Sequence, residues 1–285
     1  SKILLKGNKN NLGFSQAHNI EINHFVNDAK FDYLLILNPD IILEENSLYQ
    51  LTSKLASDKS AGSACPKLLR VNENLEPVIP QTLDACGMYF TTNLRHFDRG
   101  SQEIDIGQYD KDSYVIGGSG AALLLKKEYC KDVSLQANKI ELFDNDFFAY
   151  REDADLAWRS LILGWKCRYV HTSIGYHQRV VLPTNREKLS NNINTWSVRN
   201  RFYLQLNNFS IQGNLHCIIP TIFRNTLVIF AVLLKERTSI SAFKDILANY
   251  KKHLRFNKQI QKRRKISFAQ ERKWFSNKAY CEEIE

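Results

Sequence analysis

The stretch Phe148-Ala-Tyr-Arg-Glu-Asp-Ala-Asp-Leu-Ala-Trp-Arg159 joins a cluster of charged residues to an apolar repeat. From Ala154 to Ile162, apolar residues recur at steps of three and four, which predicts a helix with one buried face. Gly164 follows at a position where glycine commonly ends a helix. The ionisable residues at the start of this helix are Arg151, Glu152, Asp153 and Asp155.

A carboxylate at a helix start is compatible with two roles. Acidic residues stabilise helix N-termini, so capping alone would explain Asp153. A group of carboxylates at the mouth of a buried helix also suggests chemistry. Other parts of the chain are needed to decide between these roles.

The composition predicts a folded domain with a basic C-terminal part. The 285 residues are 44% hydrophobic and 11% aromatic, enough for a sizeable core. The net charge of +9 is unevenly placed, because residues 1–204 hold 24 basic and 24 acidic residues, whereas residues 205–285 hold 15 and 6. Such an excess indicates an anionic partner, either a membrane or a nucleic acid. The six scattered cysteines form no CxxC pair, which favours reduced thiols in a cytosolic protein.

Two apolar runs separated by a helix predict part of an α/β sheet. The run from Phe31 to Leu37 is continuous, as in strands covered on both faces, and it ends at Asn38-Pro39-Asp40. A helix starting near Asn46 and a second strand from Gly62 follow. Strand, helix and strand at this spacing are typical of a crossover in an open, parallel sheet. Residues 71–113 are polar and are expected to form a long, irregular loop.

A glycine-rich turn and a later strand end supply further polar positions. Tyr114 to Leu125 is predicted to be a turn that leads into a strand. Gly117 and Gly118 in this turn would permit close approach of a ligand, and a bulged strand is the alternative. A strand from Trp165 to Val170 then leads toward His177.

These elements bring chemistry-bearing residues toward one edge of the predicted sheet. Ligands of an open α/β sheet bind outside the carboxyl ends of its strands. Asp40 follows one strand, His177 follows another, and Asp153 starts a helix that can reach the same edge. Two acids and a histidine suit a hard divalent cation together with a phosphorylated ligand. Taken singly, Asp40 is compatible with a turn residue and His177 with a packed histidine.

The same residues fall in motifs that resemble those of the family 2 glycosyltransferases. Within that family, the resemblance is to the rhamnosyltransferase-like enzymes of bacterial cell-surface polysaccharide synthesis, and it runs from residue 8 to residue 180. The motifs are, in chain order, Asn11-Leu-Gly-Phe-x-x-Ala-x-Asn19, Leu37-Asn-Pro-Asp40, Gly117-Gly-x-Gly-Ala-Ala-Leu-Leu-Leu, Phe148-x-Tyr-x-Glu-Asp-x-Asp-Leu156, Gly164-Trp and Tyr176-His177.

The resemblance implies a GT-A, Rossmann-like fold with an open, mainly parallel sheet. It also implies a nucleotide-diphospho-sugar donor such as a dTDP- or UDP-sugar, a divalent metal (Mn²⁺ or Mg²⁺) and inversion at the anomeric carbon. By the same resemblance, Asp153 is the catalytic base, and Asp40 and His177 hold the metal. The residues implied to bind the donor are Asn11, Gly13, Asn19, Asn38 and Asp40. Those implied to lie near the acceptor are Gly117, Gly118, Glu152 and Trp165.

The resemblance further implies that the family's first βαβ unit is missing from this chain. In the family, that unit carries a Thr-Tyr-Asn type motif and an acid that binds the nucleotide. On the order of 45 residues of a full nucleotide-binding unit are therefore expected to be absent. An N-terminally truncated sheet would leave an exposed edge, which is a folding liability.

The C-terminal part predicts helices that associate with a membrane. The segment from Ser239 to Ile260 combines an apolar stripe with lysines and arginines, which is typical of helices that lie on an anionic membrane surface. An ordinary helix that caps the domain is the alternative. No aromatic-interleaved recognition motif accompanies the basic residues, so no nucleic-acid partner is expected. The stretch from Cys217 to Leu234 is apolar but interrupted, and is marginal for a transmembrane span. The apolar stripe of the segment from Ser239 to Ile260 consists of Phe243, Ile246, Leu247, Tyr250 and Leu254.

These observations predict a glycosyltransferase domain over residues 1–205 and a basic, amphipathic, membrane-associating region over residues 206–285. The expected function is inverting transfer of a sugar, rhamnose or a similar one, from a nucleotide-diphospho-sugar to a hydroxyl of a lipid-linked or polysaccharide acceptor. The expected location is cytoplasmic, at the inner face of the cell membrane. The alternative is a catalytically inactive, truncated remnant that binds only a membrane or a partner.

Overall fold

The computed structural model describes residues 5–136, 139–179 and 191–284, apart from the side chain of Asn191. The sequence from Ser1 to Leu5 is compatible with a short strand, but only Leu5 of this segment belongs to the described residues. The helices are α1 (Gly13–Asn27), α2 (Ser47–Ser57), α3 (Lys127–Asp132), α4 (Glu152–Ile162), α5 (Asn191–Asn208), α6 (Ile211–Asn214), α7 (Ile218–Leu234), α8 (Ser241–Lys262) and α9 (Phe268–Lys273). The strands are β1 (Tyr33–Leu37), β2 (Ile41–Leu43), β3 (Ala61–Arg70), β4 (Leu83–Ala85), β5 (Met88–Phe90), β6 (His96–Asp98), β7 (Ser113–Val115), β8 (Ala122–Lys126), β9 (Lys166–His177) and β10 (Glu282–Glu283).

A central sheet confirms the predicted α/β class, but its pairings are mixed. The order is β1-β8-β3-β9-β7-β10, with β2 added to β9 and β4 added to β3. Among the strands of the described residues, β3 and β9 form the one parallel pair, and the other pairs are antiparallel. The expectation of a mainly parallel sheet therefore holds for the longest pairing and not for the sheet as a whole.

The mixed pairing arises because a third strand lies between the two strands of the predicted crossover. Strands β1 and β3 do run in the same direction, because each is antiparallel to β8, which lies between them. The sequence between β1 and β3 specifies their relative direction through the intervening helix. It holds no information about a strand that arrives about 60 residues later.

The segment over residues 71–113 contains short strands where the sequence predicted an irregular loop. Strand β4 pairs with the end of β3, and β5 and β6 form a two-stranded sheet of their own. Strands of three residues are too short for an alternating pattern to be recognised in the sequence. Their consequence is that Asp84 and Asp98 reach the edge of the central sheet that carries the predicted site.

The C-terminal helices share a core with the sheet. One buried cluster combines Trp158 of α4 with Phe256 of α8 and with Trp274 and Phe275 after α9, and β10 pairs with β7. The predicted boundary between residues 205 and 206 falls inside α5. Residues beyond that boundary therefore complete the same folded unit.

The apolar surface of this part lies on α7 and on the outer side of α8. Phe243 and Ile246 of the predicted stripe pack against the core, whereas Leu247, Tyr250 and Leu254 are exposed. The segment Ile211–Leu234 is apolar and long enough to cross a bilayer, by length and composition alone. Most of its large side chains are exposed, namely Ile211, Leu215, Ile219, Ile222, Phe223, Leu227, Ile229, Phe230, Leu233 and Leu234.

Candidate active site

Asp153 is held at the start of α4 by two backbone N–H groups. Its Oδ2 accepts a hydrogen bond of 3.0 Å from the N–H of Gly120, and its Oδ1 accepts one of 2.8 Å from Ala154. The N-cap residue is Arg151, in the left-handed conformation with φ 72°, and it makes no side-chain cap. Asp153 is therefore the second residue of the helix. Its carboxylate is held both by the helix, through Ala154, and by another loop, through Gly120.

The loop that leads to α4 has an unusual backbone. Phe148, Tyr150 and Arg151 have positive φ values of 61°, 71° and 72°, each costing about 1–3 kcal/mol in a residue other than glycine. The side chain of Asn200, on α5, stabilises this loop. Its Nδ2 lies 2.8 Å from the carbonyl oxygens of Phe147, Ala149 and Tyr150. The C-terminal part of the chain thus determines where α4 begins.

Glu152 is a buried carboxyl group beside Asp153. Burial, together with the negative charges of Asp153 and Asp155, raises the pKa of Glu152 to about 8. Its Oε2 is buried and has no hydrogen-bond partner among the described residues. Glu152 is therefore mainly protonated at neutral pH, and it adds no second charge next to Asp153.

Asp40 and His177 meet at the carboxyl end of the strands. The register pairs Ile41 with His177, and Asp40 Oδ2 lies 3.6 Å from His177 Nε2. His177 Nδ1 lies 2.7 Å from Asp84 Oδ2, so this carboxylate orients the ring and leaves Nε2 on the side of Asp40. Burial alone would raise the pKa of Asp84, but the hydrogen bond from His177 and the charge of Arg179 lower it below its usual range.

An ion-pair network extends from Asp84 to Asp98, which lies within range of the charge of Asp153. Arg179 contacts both Asp84 Oδ1, at 3.3 Å, and Asp98 Oδ2, at 2.7 Å. Burial raises the pKa of Asp98 to about 6, against the charge of Arg179, and the negative charges of Asp153 and Asp84 add to the rise. Asp40 and His177 are in contact, and Asp98 lies within range of the charges of both Asp84 and Asp153. The roles of Asp40, His177 and Asp153 stay predictions.

Asp40 and His177 could hold a divalent cation only with help from a ligand. Asp40 Oδ1 is buried without a partner in the described part of the chain, and an imidazole oriented by a carboxylate is a common metal-ligand arrangement. Asn38 precedes Asp40 and makes no side-chain hydrogen bond within the described residues. No group of three or more His, Cys, Asp or Glu suited to a metal occurs in the described ranges. A cation here would take its remaining ligands from phosphate oxygens and water, as Mg²⁺ commonly does.

Gly117 and Gly118 lie against protein atoms. A Cβ on Gly117 would meet the Cβ of Ala157 at 2.3 Å, and one on Gly118 would meet the Cβ of Cys65 at 2.5 Å. These glycines therefore let α4 and β3 approach the turn, which places Gly120 beside Asp153. The predicted contact of Gly117 and Gly118 with an acceptor stays a prediction.

Asn11, Gly13 and Asn19 position the same loop from the side of α1. Asn11 Oδ1 accepts from the N–H of Gly13, whose φ is 72°. A Cβ on Gly13 would lie 2.5 Å from the carbonyl oxygen of Phe148. The buried side chain of Asn19 donates to the carbonyl oxygen of Phe143 and accepts from the N–H groups of Leu142 and Phe143. Asn19 therefore orders the segment that leads to α4, and the predicted contact of Asn11, Gly13 and Asn19 with a nucleotide-sugar stays a prediction.

Trp165 does not reach the site. It follows the C-terminal end of α4 at Ile162, which lies about 14 Å along the helix axis from Asp153 at about 1.5 Å per residue. Its indole N–H donates to Asp132, and its ring packs on Tyr129. This corrects the expectation that Trp165 lies near the acceptor, which rested on a motif and not on the length of the helix.

Several residues of the site were not singled out from the sequence. Gly120 stands inside the glycine-rich motif, so a signal for it was present. Asp84 and Asp98 lie in the segment expected to be irregular, and Asn200 lies far along the chain in a helix with no chemical motif. Only the folded arrangement brings these residues to Asp40 and Asp153.

Comparisons with known proteins add little to this geometry. No protein-family model matches the chain, and no curated protein matches it. The chain is similar to a solved structure described as "GalNAc-T7 with UDP, GalNAc and Mn2+", with a TM-score of 0.49 and 12% sequence identity. The alignment covers 70% of this chain and 35% of that one, so the chain spans about a third of that protein. A likeness at this level assigns no residue roles.

Proposed function

We propose that this chain is a glycosyltransferase, or the catalytic part of one, that uses a nucleotide-diphospho-sugar. The observation that carries the proposal is the placement of Asp153. Its carboxylate is oriented by the N–H of Gly120. Asp98 lies within range of the charge of Asp153, and Arg179 joins Asp98 to Asp84, which holds His177. A base and a candidate diphosphate site thus share one edge of the sheet, where ligands of α/β proteins bind.

Asp153 would act as the general base. Inverting transfer requires a base on the face of the sugar opposite the leaving group, where it accepts the proton of the attacking hydroxyl. Two backbone N–H groups orient the carboxylate, which reduces the reorganisation needed during the reaction. The protonated Glu152 beside it keeps the local negative charge to one unit.

Asp40 and His177 would hold the donor's diphosphate end through a divalent cation. Such a cation, when bound, would neutralise the charge that develops on the leaving nucleoside diphosphate. Asp84 fixes the ring of His177, so that Nε2 faces the ligand. With only these two protein ligands in the described residues, the chain is expected to bind Mn²⁺ or Mg²⁺ weakly until the donor is present.

The proposed donor, sugar and acceptor are based on the sequence motifs, and the proposed location is based on the exposed residues of α7 and α8. The motifs favour a dTDP- or UDP-sugar donor, transfer of rhamnose or a similar sugar, and a glycan or lipid-linked acceptor in polysaccharide synthesis. The exposed apolar side chains of α7, beside the basic face of α8, support a peripheral location on the cytoplasmic face of an anionic membrane.

The test is donor binding and turnover by purified protein. With Mn²⁺ or Mg²⁺, the chain should bind a UDP- or dTDP-sugar in calorimetry and hydrolyse it slowly. Asp153→Asn should abolish turnover, by at least about a hundredfold as for loss of a general base, and should leave the circular dichroism spectrum unchanged. Asp32→Asn, at an exposed position away from the site, serves as the matched control.

Two results would count against the proposal. An active Asp153→Asn protein would remove the base assignment. Absence of nucleotide-sugar binding, with vesicle binding intact, would instead favour the alternative of an inactive remnant that serves only as a membrane-binding or partner-binding module.

A further inference from the structure

Arginines from four parts of the chain converge beside the start of α4. Arg95 comes from the turn between β5 and β6, Arg151 precedes α4, Arg201 is on α5 and Arg224 is on α7. We refer to these four residues as the arginine cluster. His96 lies within the field of Arg95, Arg151 and Arg201.

Arg201 is a buried cation whose contacts are neutral. Its side chain is 3% exposed. It donates from Nε to Asn225 Oδ1 over 2.8 Å and from NH2 to the carbonyl oxygen of Asn93 over 3.1 Å. Burial lowers its pKa to about 9, and the positive charges of Arg151, Arg224 and Arg95 lower it further in the same direction. Within the described residues, no carboxylate forms an ion pair with Arg201 or Arg224.

Two further nitrogen atoms of this region have no hydrogen-bond partner in the described part of the chain. Arg224 Nε and His96 Nδ1 are buried and make no hydrogen bond within the described ranges. Burial lowers the pKa of His96 well below its usual value, and the neighbouring arginines act in the same direction. Burying a charge or a polar group without a counter-ion costs several kcal/mol. Such positive potential is typical of a site that receives an anion.

The position of the cluster indicates where the anion comes from. On α7, Arg224 and Asn225 lie on the side that faces α5, while Phe223, Leu227 and Phe230 are exposed on the other side. Arg151 is two residues before Asp153. The cluster therefore lies between an exposed apolar surface and the proposed base.

We propose that the arginine cluster binds the phosphate or diphosphate head of a lipid-borne acceptor whose apolar chain lies along the outer face of α7. The proposal rests on the proposed function, because it assigns the acceptor of the same site. Arginine suits a phosphate because its guanidinium offers paired donors. The donor's diphosphate has its own candidate site at Asp40 and His177, built from different elements.

The experiment compares three probes on the full chain in a neutral detergent: farnesyl diphosphate, farnesol and inorganic pyrophosphate. Calorimetry should show that farnesyl diphosphate binds at least tenfold more tightly than either of the others. Arg224→Gln should weaken its binding about tenfold or more. Arg237→Gln, the same change at an exposed position just beyond α7, should leave the affinity within about twofold.

Three outcomes would overturn the proposal. The first is unchanged affinity of Arg224→Gln for farnesyl diphosphate. The second is that pyrophosphate binds as tightly as farnesyl diphosphate, which would show that the protein does not recognise the farnesyl group. The third is displacement of farnesyl diphosphate by UDP with Mn²⁺, which would place it in the donor site. If the proposed function is wrong, the same preparation should bind no nucleotide-sugar. That result does not affect the comparison of farnesyl diphosphate with farnesol and pyrophosphate, so the two failures can be distinguished.

Discussion

Glu152 and Asp153 are adjacent in sequence, yet they have different environments. Asp153 accepts hydrogen bonds from Gly120 and Ala154, whereas Glu152 is buried with an oxygen that has no partner in the described part of the chain. Their separation follows from the helix, since consecutive residues point about 100° apart around its axis. A protonated Glu152 therefore accompanies a hydrogen-bonded Asp153.

The pKa of Glu152 predicts a pH-dependent stability. The unfolded chain loses this proton near the ordinary value of 4.5, whereas the folded chain keeps it until about pH 8. The unfolded state binds fewer protons in between, so the free energy of unfolding falls as the pH rises through this window. Glu152→Gln, which stays neutral, should remove this loss, which is at most about 5 kcal/mol between about pH 5 and about pH 8.

Urea denaturation at several pH values measures this effect. The stability difference between Glu152→Gln and the wild type should grow steadily from about pH 5 to about pH 8. The exposed Glu73→Gln should show no such trend. A constant difference across the range would mean that Glu152 ionises at an ordinary pH.

Helix α5 stabilises the loop that leads to Asp153. Asn200 is fully buried and faces three carbonyl oxygens of the loop over residues 147–150. Asn200→Ala would leave these carbonyl groups without their donor and would open a cavity. The free energy of unfolding is expected to fall by about 2–3 kcal/mol.

The control for this prediction lies on the same helix. Asn192→Ala is an exposed change of the same kind and should alter the stability by no more than about 0.5 kcal/mol. Turnover of Asn200→Ala should also fall, because α4 and Asp153 start directly after this loop. Equal stability of the two variants would show that the loop is held by other contacts.

At the scale of the whole molecule, the C-terminal half has an inner and an outer side. The inner side of α8 carries His253 and Phe256 into the core, and the outer sides of α7 and α8 expose large apolar residues. Exposed apolar residues on α7 and α8, together with the exposed basic residues of α8, predict association with anionic vesicles. The basic residues that accompany it on α8 are Lys244, Lys251, Arg255 and Lys258.

Substitution of Phe223 and Phe230 by Ser tests this surface. Each Phe contributes about 1.5–3 kcal/mol when buried in an apolar phase, so binding to phosphatidylglycerol vesicles should fall by at least about a hundredfold. The control replaces Ile79 and Ile106, which are also exposed but lie elsewhere, by Ser. Equal flotation of the two double variants with vesicles would contradict the assignment of α7.

Short stretches of the sequence are sufficient to predict the local features of this protein. Apolar periodicity located α4 and α8, continuous apolar runs located β1 and β3, and the order of the motifs brought Asp40, Asp153 and His177 together. Each of these signals is contained in a short window, because helix and strand periods repeat every few residues. The uneven charge similarly pointed to the basic C-terminal part.

The way in which distant segments meet becomes visible in the folded chain alone. The fold inserts β8 between β1 and β3 and places Trp165 away from Asp153. It also brings Asp84 to His177 and Asp98 to Arg179, although both acids come from an apparently irregular segment. It also gathered Arg95, Arg151, Arg201 and Arg224 from four elements. The physical reason is that these contacts join residues tens of positions apart, and their free energy depends on the packing of the whole chain and not on any local pattern.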